Sequence, residues 1–224
     1  MSTLDNIFNS LNTDKGSRCG DRHNYAPVYE TLFAPLRNAD IKILEVGVHE
    51  GASLESWHAY FPHARIHGAE ILASDFGGRF KDKPRVNIHH VDATVPMAIA
   101  EDGFQIIIDD ADHSMDTCIK LMRSLWPRLN QGGFYIIEDL FVGDLPWGPK
   151  ASPRNENNHL DYAGYSAGVD RCYLPKHPQD LNFLNRHDLP SDIGKILEDN
   201  NHFFTITSIS PGGGLHMMLV ITKS

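Results

Sequence analysis

Two short acidic runs carry the residues best suited to chemistry in this sequence. One is DDADH at 109–113, after an apolar stretch, and the other is Glu138-Asp139, after the apolar stretch FYII. If both stretches are neighbouring parallel strands, about 4.8 Å apart, then Asp110, Glu138 and Asp139 lie together where the strands end. Three ionised carboxylates in one pocket repel one another, so their joint ionisation is unfavourable unless a cation binds between them. Oxygen ligands favour Mg²⁺, with Mn²⁺ or Ca²⁺ as alternatives, so these residues are the predicted metal ligands.

His113 stands three residues after Asp110, where the predicted strand gives way to a helix. An imidazole has a suitable pKa for a general base near neutral pH. An aliphatic hydroxyl is a poor nucleophile until it loses its proton, and coordination to a metal makes that loss easier. His113 is therefore the predicted catalytic base. The alternative interpretation is that the acidic strand ends only cap loops and that His113 is a hydrogen-bonded loop residue.

The turn after the first predicted strand, LEVGVHEG at 44–51, is the candidate cofactor loop. Gly47 and Gly51 allow a ligand to approach the backbone closely. The spacing does not match the GxGxxG pattern of dinucleotide-binding turns, and Glu45 and Glu50 would repel a pyrophosphate. S-adenosylmethionine, which carries a sulfonium and an ammonium group, fits an acidic turn better. The turn therefore predicts an S-adenosylmethionine site.

Two further acidic residues stand at the ends of predicted strands. Glu70 closes the second strand, where a carboxylate can accept hydrogen bonds from both ribose hydroxyls, and Asp92 follows the third, where it could accept from the adenine amino group. A charged residue at a strand end is often simply solvated, so each residue alone says little. Acidic residues at three successive strand ends together support the cofactor prediction.

Short β-rich runs alternate with helical patterns from about residue 40 onward. The predicted strands are 41–47, 65–70, 86–91, 104–110 and 133–139, and the predicted helices are 52–61 and 114–129, the latter with Ser114 as N-cap. This alternation predicts a doubly wound α/β sheet. The last runs, 203–209 and 215–223, flank a Gly-rich turn and predict an antiparallel hairpin. The predicted fold is a Rossmann-like, mostly parallel seven-stranded sheet that ends in an antiparallel hairpin, the layout of class I methyltransferases.

The chain divides into a predicted N-terminal helical cap over the active site, residues 1–40, and a methyltransferase domain, residues 41–224. Residues 141–190 are rich in Pro, Gly and Asn and show little periodicity. A long irregular segment inside a compact domain is usually functional or mobile. We expect a lid or substrate-binding wall here, with a disordered surface insertion as the alternative.

Composition argues against several classes of function. The net charge is −9 and the sequence has no basic stripe, which argues against a nucleic-acid partner. No apolar run approaches the roughly 20 residues needed to span a bilayer, so no membrane insertion is expected. The N-terminus lacks the pattern of a secretory signal. The three cysteines are scattered, which favours a reducing cytoplasm over a disulfide framework.

In combination, these motifs resemble the metal-dependent sugar O-methyltransferases of macrolide and aminocoumarin biosynthesis. That family includes the macrocin, mycinamicin and novobiocin O-methyltransferases, with cephalosporin-hydroxylase-type proteins as relatives. The resemblance runs from about residue 13 to residue 140, with a weaker match in the final hairpin. It is carried by TDKG (13–16), HNY (23–25) followed by Tyr29, LEVGVHEGASLESW (44–57), DDADH (109–113) and GGFYIIEDL (132–140).

The resemblance implies the same roles for the three carboxylates and for His113. It adds that the N-terminal segment around Lys15, His23 and Tyr25 is similar to one that folds over the cofactor and active site. The predicted cofactor-binding residues are Lys15, Tyr25, Glu45, Gly47, Gly51, Ser53, Glu70, Asp92 and Asp110.

The sequence departs from the family pattern in three places. The usual DDGSH is DDADH here, which puts an extra carboxylate, Asp112, beside the metal ligands, where it either alters the site or points outward. Glu70 replaces a commoner aspartate, and Asp92 is followed by Ala-Thr rather than Gln-Ser. Residues 141–190 do not align with a substrate pocket, so the acceptor is not inherited from the resemblance.

The sequence therefore predicts an S-adenosylmethionine- and Mg²⁺-dependent O-methyltransferase of antibiotic-type biosynthesis, which acts on a hydroxyl of a small acceptor, a sugar of a glycosylated natural product. Three alternatives stay open: a catechol-type enzyme for an aromatic diol, a non-catalytic S-adenosylmethionine-binding protein, and an oxidoreductase, which the acidic turn disfavours. The expected partner is a small hydroxylated molecule. Members of the family often assemble into homo-oligomers, although the sequence shows no interface.

Overall fold

A seven-stranded β-sheet organises the chain. The computed structural model describes residues 3–18, 23–72, 75–139, 195–196, 199–200, 203–209 and 215–224, and the lid predicted at 141–190 lies outside them. The strands are β1 (Lys42–Val46), β2 (Arg65–Glu70), β3 (Val86–His90), β4 (Phe104–Asp109), β5 (Leu129–Ile137), β6 (Phe203–Ile209) and β7 (Leu215–Thr222).

The strands lie in the order β3-β2-β1-β4-β5-β7-β6. The first five pair in parallel, whereas β7 pairs antiparallel with both β5 and β6. The predicted fold class, a mostly parallel sheet that ends in an antiparallel pair, is thereby confirmed. The strand order reverses between β1 and β4, and ligands of such sheets bind at the carboxyl ends of the strands beside that reversal.

Helices flank the sheet, among them α1 (Leu4–Leu11), α2 (Ala26–Phe33), α3 (Ala52–Tyr60) and α4 (Met115–Leu125). The hydroxyl of Thr3 caps α1 by accepting from the N–H of Asn6. Ser114 caps α4 by accepting from the N–H of Thr117, as predicted. No helix in this part of the chain is long and apolar enough to cross a membrane. Short 3₁₀ helices cover Ala34–Leu36, Phe76–Gly78 and Trp126–Arg128.

The helix predicted over 114–129 is shorter in the structure. α4 ends at Leu125, a 3₁₀ turn follows, and Leu129 begins β5 instead of closing the helix. Pro127 explains the early end, because it has no N–H to donate to the carbonyl four residues before it. Leu129 is still buried, in the same apolar cluster as Leu121 and Leu125.

Apolar side chains cover both faces of the sheet and hold the helices against it. On one face, Trp57 of α3 makes edge-to-face contacts with Phe8 of α1 and with Tyr29 and Phe33 of α2. On the other face, α4 packs against the sheet through a separate cluster that contains Ile107. The N-terminal helices are therefore part of the core, and their packing brings Lys15, Tyr25 and Tyr29 to the carboxyl ends of the strands.

Candidate active site

A cavity of about 1130 Å³ lies at the carboxyl ends of the first five strands. Among the described residues, seven carboxylates line this cavity but only two lysines do, Lys15 and Lys120. Such a wall attracts a cationic ligand and repels a phosphate-bearing one. The carboxylates belong to Asp14, Glu50, Glu70, Asp92, Asp110, Asp112 and Asp139.

The cofactor loop is fixed by two glycines in the left-handed conformation. Gly47 has a φ of +90°, and a Cβ built on it would lie 2.0 Å from the carbonyl oxygen of Asp110. Gly51 has a φ of +81°, and its Cβ would lie 2.5 Å from the ring of Phe80. Both positions require glycine for backbone conformation and for close packing within the protein, in addition to any ligand approach.

Glu70 holds the same loop from the end of β2. Its Oε2 accepts from the N–H groups of Val48, at 3.1 Å, and His49, at 3.2 Å, while its Oε1 accepts from the N–H of Leu72 at 3.0 Å. Partial burial opposes ionisation, but these backbone hydrogen bonds prevail and lower the pKa of Glu70. The carboxylate is therefore charged and shapes the cavity wall that it lines.

Asp92 follows β3 on the same wall and is exposed. Its Oδ1 accepts from the hydroxyl of Thr94, at 2.6 Å, and from the Thr94 N–H, at 2.9 Å, and both hydrogen bonds lower the pKa of Asp92. Ser53, in the first turn of α3, also lines the cavity. Asp92 and Ser53 are therefore two further polar residues on the cavity wall.

Lys15 lies between carboxylates from three strand ends. Its Nζ is 2.6 Å from Asp110 Oδ2, 2.7 Å from Glu138 Oε2 and 3.7 Å from Glu45 Oε1, and its side chain is only 2% exposed. Burial would lower the pKa of Lys15, but the attraction of Asp110 and then of Glu138 raises it well above its ordinary value. The ammonium group therefore supplies charge that the sequence had led us to expect from a metal alone. We call these four residues the inner cluster.

Two tyrosines of the N-terminal segment donate to the carboxylates that follow β5. The hydroxyl of Tyr25 donates to Asp139 Oδ1 at 2.8 Å, and that of Tyr29 donates to Glu138 Oε1. Burial and the neighbouring carboxylates raise the pKa of both phenols well above the ordinary value, so both stay protonated. With Lys15 on Oε2, both oxygens of Glu138 are engaged.

Asp110, His113 and Asp139 meet at the cavity wall, and we call them the outer set. One ligand atom from each lies within 4.8 Å of those of the other two. Nδ1 of His113 is buried and has no hydrogen-bond partner in the described part of the chain. Asp139 Oδ2 lies 3.2 Å from Nδ1 of His23. Two carboxylates and an imidazole this close together suit a metal site, and a buried ring nitrogen without a hydrogen bond suits a residue that accepts a proton.

Three non-glycine residues at this wall have a strained, left-handed backbone conformation. His49, His113 and Asp139 have φ values of 50°, 58° and 51°, although none is a glycine. A left-handed conformation in such residues costs on the order of 1 kcal/mol or more and persists only where the surrounding structure imposes it. Here, the N–H of Glu138 bonds to the carbonyl of Asp109 at 2.9 Å, which continues the sheet pairing past the strand ends.

Asp112, the extra carboxylate of the DDADH motif, points away from the outer set. Its Oδ1 accepts from the N–H of Ser114 at 3.0 Å, and its Oδ2 accepts from the hydroxyl of Thr117 at 2.9 Å. Both oxygens thus stabilise the first turn of α4, where negative charge is favourable. Asp112 therefore lines the cavity without belonging to the outer set, and both of its oxygens are used at the start of α4.

Most predicted site residues line the cavity, but four lie behind its wall. Glu45 is fully buried, and its Oε2 accepts from Trp57 Nε1 at 2.7 Å. Burial, opposed by the charge of Lys15, raises the pKa of Glu45 to about 7. The lining residues are Lys15, Gly47, Ser53, Glu70, Asp92, Asp110, His113 and Asp139, whereas Tyr25, Glu45, Gly51 and Glu138 are behind the wall.

Sequence reasoning assigns no role to Tyr29 or Trp57, although both hold site carboxylates. For Tyr29 a signal exists in the spacing, because a residue four positions after Tyr25 lies on the same face of a helix that begins there. Trp57 carries no comparable signal, because its contact with Glu45 depends on how α3 crosses β1.

The sequence is similar to curated sugar O-methyltransferases, which confirms the resemblance predicted from the motifs. It is 34% identical over 147 residues to 8-demethyl-8-(2-methoxy-alpha-L-rhamnosyl)-tetracenomycin-C 3'-O-methyltransferase of Streptomyces olivaceus, a match that covers 60% of this chain and 37% of the relative. It is 27% identical over 183 residues to mycinamicin VI 2''-O-methyltransferase of Micromonospora griseorubida, covering 77% of this chain and 42% of that one. The chain thus spans about two fifths of the length of these relatives. No protein-family model matches the sequence.

Solved structures share the fold. MycE methyltransferase from the mycinamycin pathway, in complex with Mg, SAH and mycinamycin VI, matches with a TM-score of 0.63 at 22% identity, over 100% of this chain and 55% of that one. The 1,6-didemethyltoxoflavin-N1-methyltransferase of Burkholderia thailandensis, with S-adenosylhomocysteine bound, matches with a TM-score of 0.53 at 13% identity, over 88% and 77% of the two chains. The fold is that of the Rossmann-like class I methyltransferases.

Proposed function

We propose that this protein is an S-adenosylmethionine- and Mg²⁺-dependent O-methyltransferase that acts on a sugar hydroxyl of a glycosylated natural product. The observation that carries the proposal is the meeting of Asp110, His113 and Asp139 within 4.8 Å at the wall of an acidic cavity. The fold alone leaves the function open, because one fold hosts many activities. The proposal therefore depends on the chemistry of these side chains.

The shape and charge of the cavity support adenosylmethionine as the cofactor. Its volume of about 1130 Å³ slightly exceeds the roughly 300–1,000 Å³ typical of small-molecule sites, which leaves room for a nucleoside cofactor and an acceptor group. Glu70 and Asp92 offer acceptors at the ends of β2 and β3. MycE and the toxoflavin-pathway enzyme were both solved with S-adenosylhomocysteine, as their names state.

The outer set fits a divalent cation. One ligand atom from each of two carboxylates and one imidazole lies within 4.8 Å of the other two, and carboxylate oxygens are the ligands that Mg²⁺ prefers. Asp110 and Asp139 would hold the ion, and Mn²⁺ or Ca²⁺ could replace Mg²⁺ there. Glu138, the third ligand predicted from the sequence, is adjacent but is bonded to Lys15 and Tyr29.

Different residues at the wall suit different roles in methyl transfer. When bound, adenosylmethionine supplies an electrophilic methyl group, and a divalent cation lowers the pKa of a hydroxyl that coordinates it. His113 would accept the proton that the acceptor hydroxyl loses as its oxygen bonds to the methyl carbon, while the carbon–sulfur bond of the cofactor breaks and leaves S-adenosylhomocysteine. The hydroxyl of Tyr25 donates to Asp139 Oδ1 and so orients this carboxylate, and Nδ1 of His23 lies 3.2 Å from its other oxygen.

The acceptor class follows from the relatives. The Streptomyces olivaceus enzyme is named for a rhamnosyl-tetracenomycin and the Micromonospora griseorubida enzyme for mycinamicin VI. The rhamnosyl group in the first name supports a sugar hydroxyl as the acceptor here. The segment 141–190, predicted to form a substrate-binding wall, lies outside the described residues.

We further propose that residues 1–40 act as a cap that closes the active site. Lys15 and Tyr25, both from this segment, reach the carboxylates that follow β4 and β5. The scattered cysteines support a cytoplasmic location, and a homo-oligomer is proposed from the sequence resemblance alone. The net charge of −9 supports a small-molecule partner over a nucleic acid.

Calorimetric titration with S-adenosylmethionine and S-adenosylhomocysteine, in Mg²⁺ and then in EDTA, tests the cofactor. We expect micromolar binding in both media. Methyl transfer from labelled cofactor to rhamnosylated tetracenomycin or mycinamicin VI should then appear with Mg²⁺ and disappear with EDTA. Absence of cofactor binding would overturn the proposal. Transfer to catechols alone would establish the catechol-type alternative, and binding without transfer to any acceptor would favour a non-catalytic protein.

A further inference from the structure

We propose that His67, His89 and Glu101 form a second metal site, which takes Zn²⁺ or a similar transition-metal ion. We call these three residues the histidine cluster. One ligand atom from each lies within 4.8 Å of those of the other two. None of the three lines the cavity that holds the outer set. The inference therefore goes beyond the proposed function and does not depend on it.

The two histidines approach each other from neighbouring strands. His67 belongs to β2 and His89 to β3, and in the parallel register His89 pairs with Ala69. The histidines are thus offset by two residues, which places both side chains on the same face of the sheet. Nδ1 of His67 lies 3.0 Å from Nε2 of His89, and the two rings are nearly parallel, at 8°. Each imidazole therefore brings one ring nitrogen to the same place.

Glu101 adds a carboxylate from the segment that precedes β4. Its Oε2 lies 3.8 Å from Nε2 of His89. Arg128 holds this segment, because its Nη1 donates to the carbonyl of Glu101 at 2.7 Å and to Oδ1 of Asp102 at 2.8 Å. The ring of Phe104 packs edge-to-face against His67, with 5.4 Å between the ring centroids. The surrounding structure thus positions the ligands without help from an ion.

The spacing and the chemistry of the ligand atoms favour zinc. Ligand atoms about 2.1 Å from a tetrahedral ion lie about 3.4 Å apart. The separations of 3.0 Å and 3.8 Å in the histidine cluster fall on either side of that value, so small side-chain shifts suffice. Imidazole suits Zn²⁺, Cu²⁺ and Ni²⁺, whereas Mg²⁺ prefers oxygen. Two imidazoles and one carboxylate therefore select a different ion from the outer set, which has two carboxylates and one imidazole.

Solvent reaches the histidine cluster from one side. The side chains of His89 and Glu101 are 18% and 35% exposed, so an ion can enter and water can take a fourth position, whereas His67 is buried. β3 lies at one end of the strand order. An ion here joins this edge strand to β2 and to the segment before β4. Because the unfolded chain does not assemble the three ligands, binding stabilises the folded protein.

Zn²⁺ affinity, measured by competition with a chromophoric chelator in excess Mg²⁺, tests the site in protein first stripped of metal. Wild type should bind Zn²⁺, and His89→Gln and Glu101→Gln should each bind it at least about tenfold more weakly, because even the loss of a residue that only supports a ligand costs about 10–100-fold. Both positions are partly exposed, so both variants should fold. His90→Gln, at an exposed histidine of the same strand, is the matched control and should keep the wild-type affinity.

A further variant separates the histidine cluster from the outer set, which could also take a transition-metal ion. Asp139→Asn removes a carboxylate from the outer set and should keep the Zn²⁺ binding that His89→Gln loses. Thermal unfolding gives a second measurement. Added Zn²⁺ should raise the Tm of wild type and of Asp139→Asn, and should raise it less in His89→Gln. If His89→Gln does not fold, the comparison of Glu101→Gln with His90→Gln decides the question without it.

Several outcomes would overturn the inference. Absence of Zn²⁺ binding by wild type is one, and wild-type affinity in His89→Gln or in Glu101→Gln is another, because each residue is a ligand of the proposed site. Loss of the Zn²⁺ binding in Asp139→Asn would place the ion at the outer set instead. Because none of these measurements uses adenosylmethionine or an acceptor, failure of the proposed methyl transfer is read separately from failure of this inference.

Discussion

The carbonyl oxygen of Asp110 lies 2.0 Å from the point where a Cβ on Gly47 would have to be placed. The turn after β1 and the residue after β4 are therefore in direct backbone contact. The N–H of Asp110 reinforces this contact by bonding to the carbonyl of Val46 at 2.9 Å. As a result, the candidate cofactor loop and the outer set cannot shift independently of each other.

Gly47→Ala should destabilise the protein by about 3 kcal/mol or more, because the new methyl group meets backbone that cannot rotate away. Gly132→Ala is the matched control, since Gly132 also has a positive φ, +71°, but nothing lies within 4 Å of its Cβ position. The control should cost only the strain of the left-handed conformation, about 1–2 kcal/mol. Urea unfolding measures both values, and equal costs would contradict the packing argument.

Tyr29→Phe should lower the free energy of unfolding by about 2–3 kcal/mol, because it removes the hydroxyl that donates to the buried carboxylate of Glu138. Tyr60→Phe offers a comparison, since its hydroxyl donates at 2.9 Å to Glu30, which is only partly buried. For Tyr60→Phe we expect the free energy of unfolding to fall by about 1 kcal/mol. Thermal and urea unfolding should rank the two variants in this order, and the reverse order would show that Glu138 does not depend on Tyr29.

His113→Ala should keep cofactor binding and lose about 10²–10⁴-fold in the rate of methyl transfer, because the proton acceptor is gone. His113→Asn is the second variant, since asparagine tolerates the φ of 58° found at this position and isolates the chemical effect from backbone strain. His63→Ala, at an exposed and remote histidine, is the control. Full activity in both His113 variants would remove this residue as the base.

Asp112→Ala should weaken the start of α4 by about 1 kcal/mol without changing Mn²⁺ affinity, because both carboxylate oxygens bond to the helix N-terminus. Asp110→Asn, in contrast, should weaken Mn²⁺ binding. Unfolding experiments combined with Mn²⁺ titration separate the two effects. Reduced Mn²⁺ affinity in Asp112→Ala would show that the extra carboxylate belongs to the metal site after all.

Burial of His67 makes the free energy of unfolding depend on pH in the acidic range. Burial, followed by the neighbouring His89, lowers the pKa of His67 from 6.5 to about 4 in the folded protein. The unfolded chain therefore takes up this proton at a higher pH, so His67 costs stability as the pH falls from about 6.5 to about 4 and has no such effect above that range. Allowing for solvent screening, we expect a loss on the order of 1–2 kcal/mol.

Urea unfolding of His67→Gln at several pH values tests this dependence. The variant should lose less stability than wild type between about pH 6.5 and pH 4, because glutamine takes up no proton. His90→Gln, at an exposed histidine of the neighbouring strand, should keep the wild-type slope. If His67→Gln also keeps that slope, burial of His67 does not govern acid stability.

The sequence by itself determined the sheet and the identity of the residues at its carboxyl edge. Apolar runs define β1, β2, β4 and β5 to within a few residues, and each is followed by an acidic residue or a glycine turn. Parallel strands place their ends at one edge, so Asp110 and Asp139 could be predicted to meet from the pattern alone. The same local information predicted the Ser114 cap, because capping depends on residues three positions apart.

Only the tertiary structure decided what each carboxylate bonds to. Lys15 reaches Asp110 and Glu138 across 95 and 123 positions of sequence, and no local pattern specifies such contacts. From the sequence, a metal ion was the one group expected to offset the repulsion among the carboxylates. The fold also places an ammonium group and two phenols against them. The direction of Asp112 and the burial of Glu45 were likewise open, because they depend on how α3 and α4 pack against the sheet.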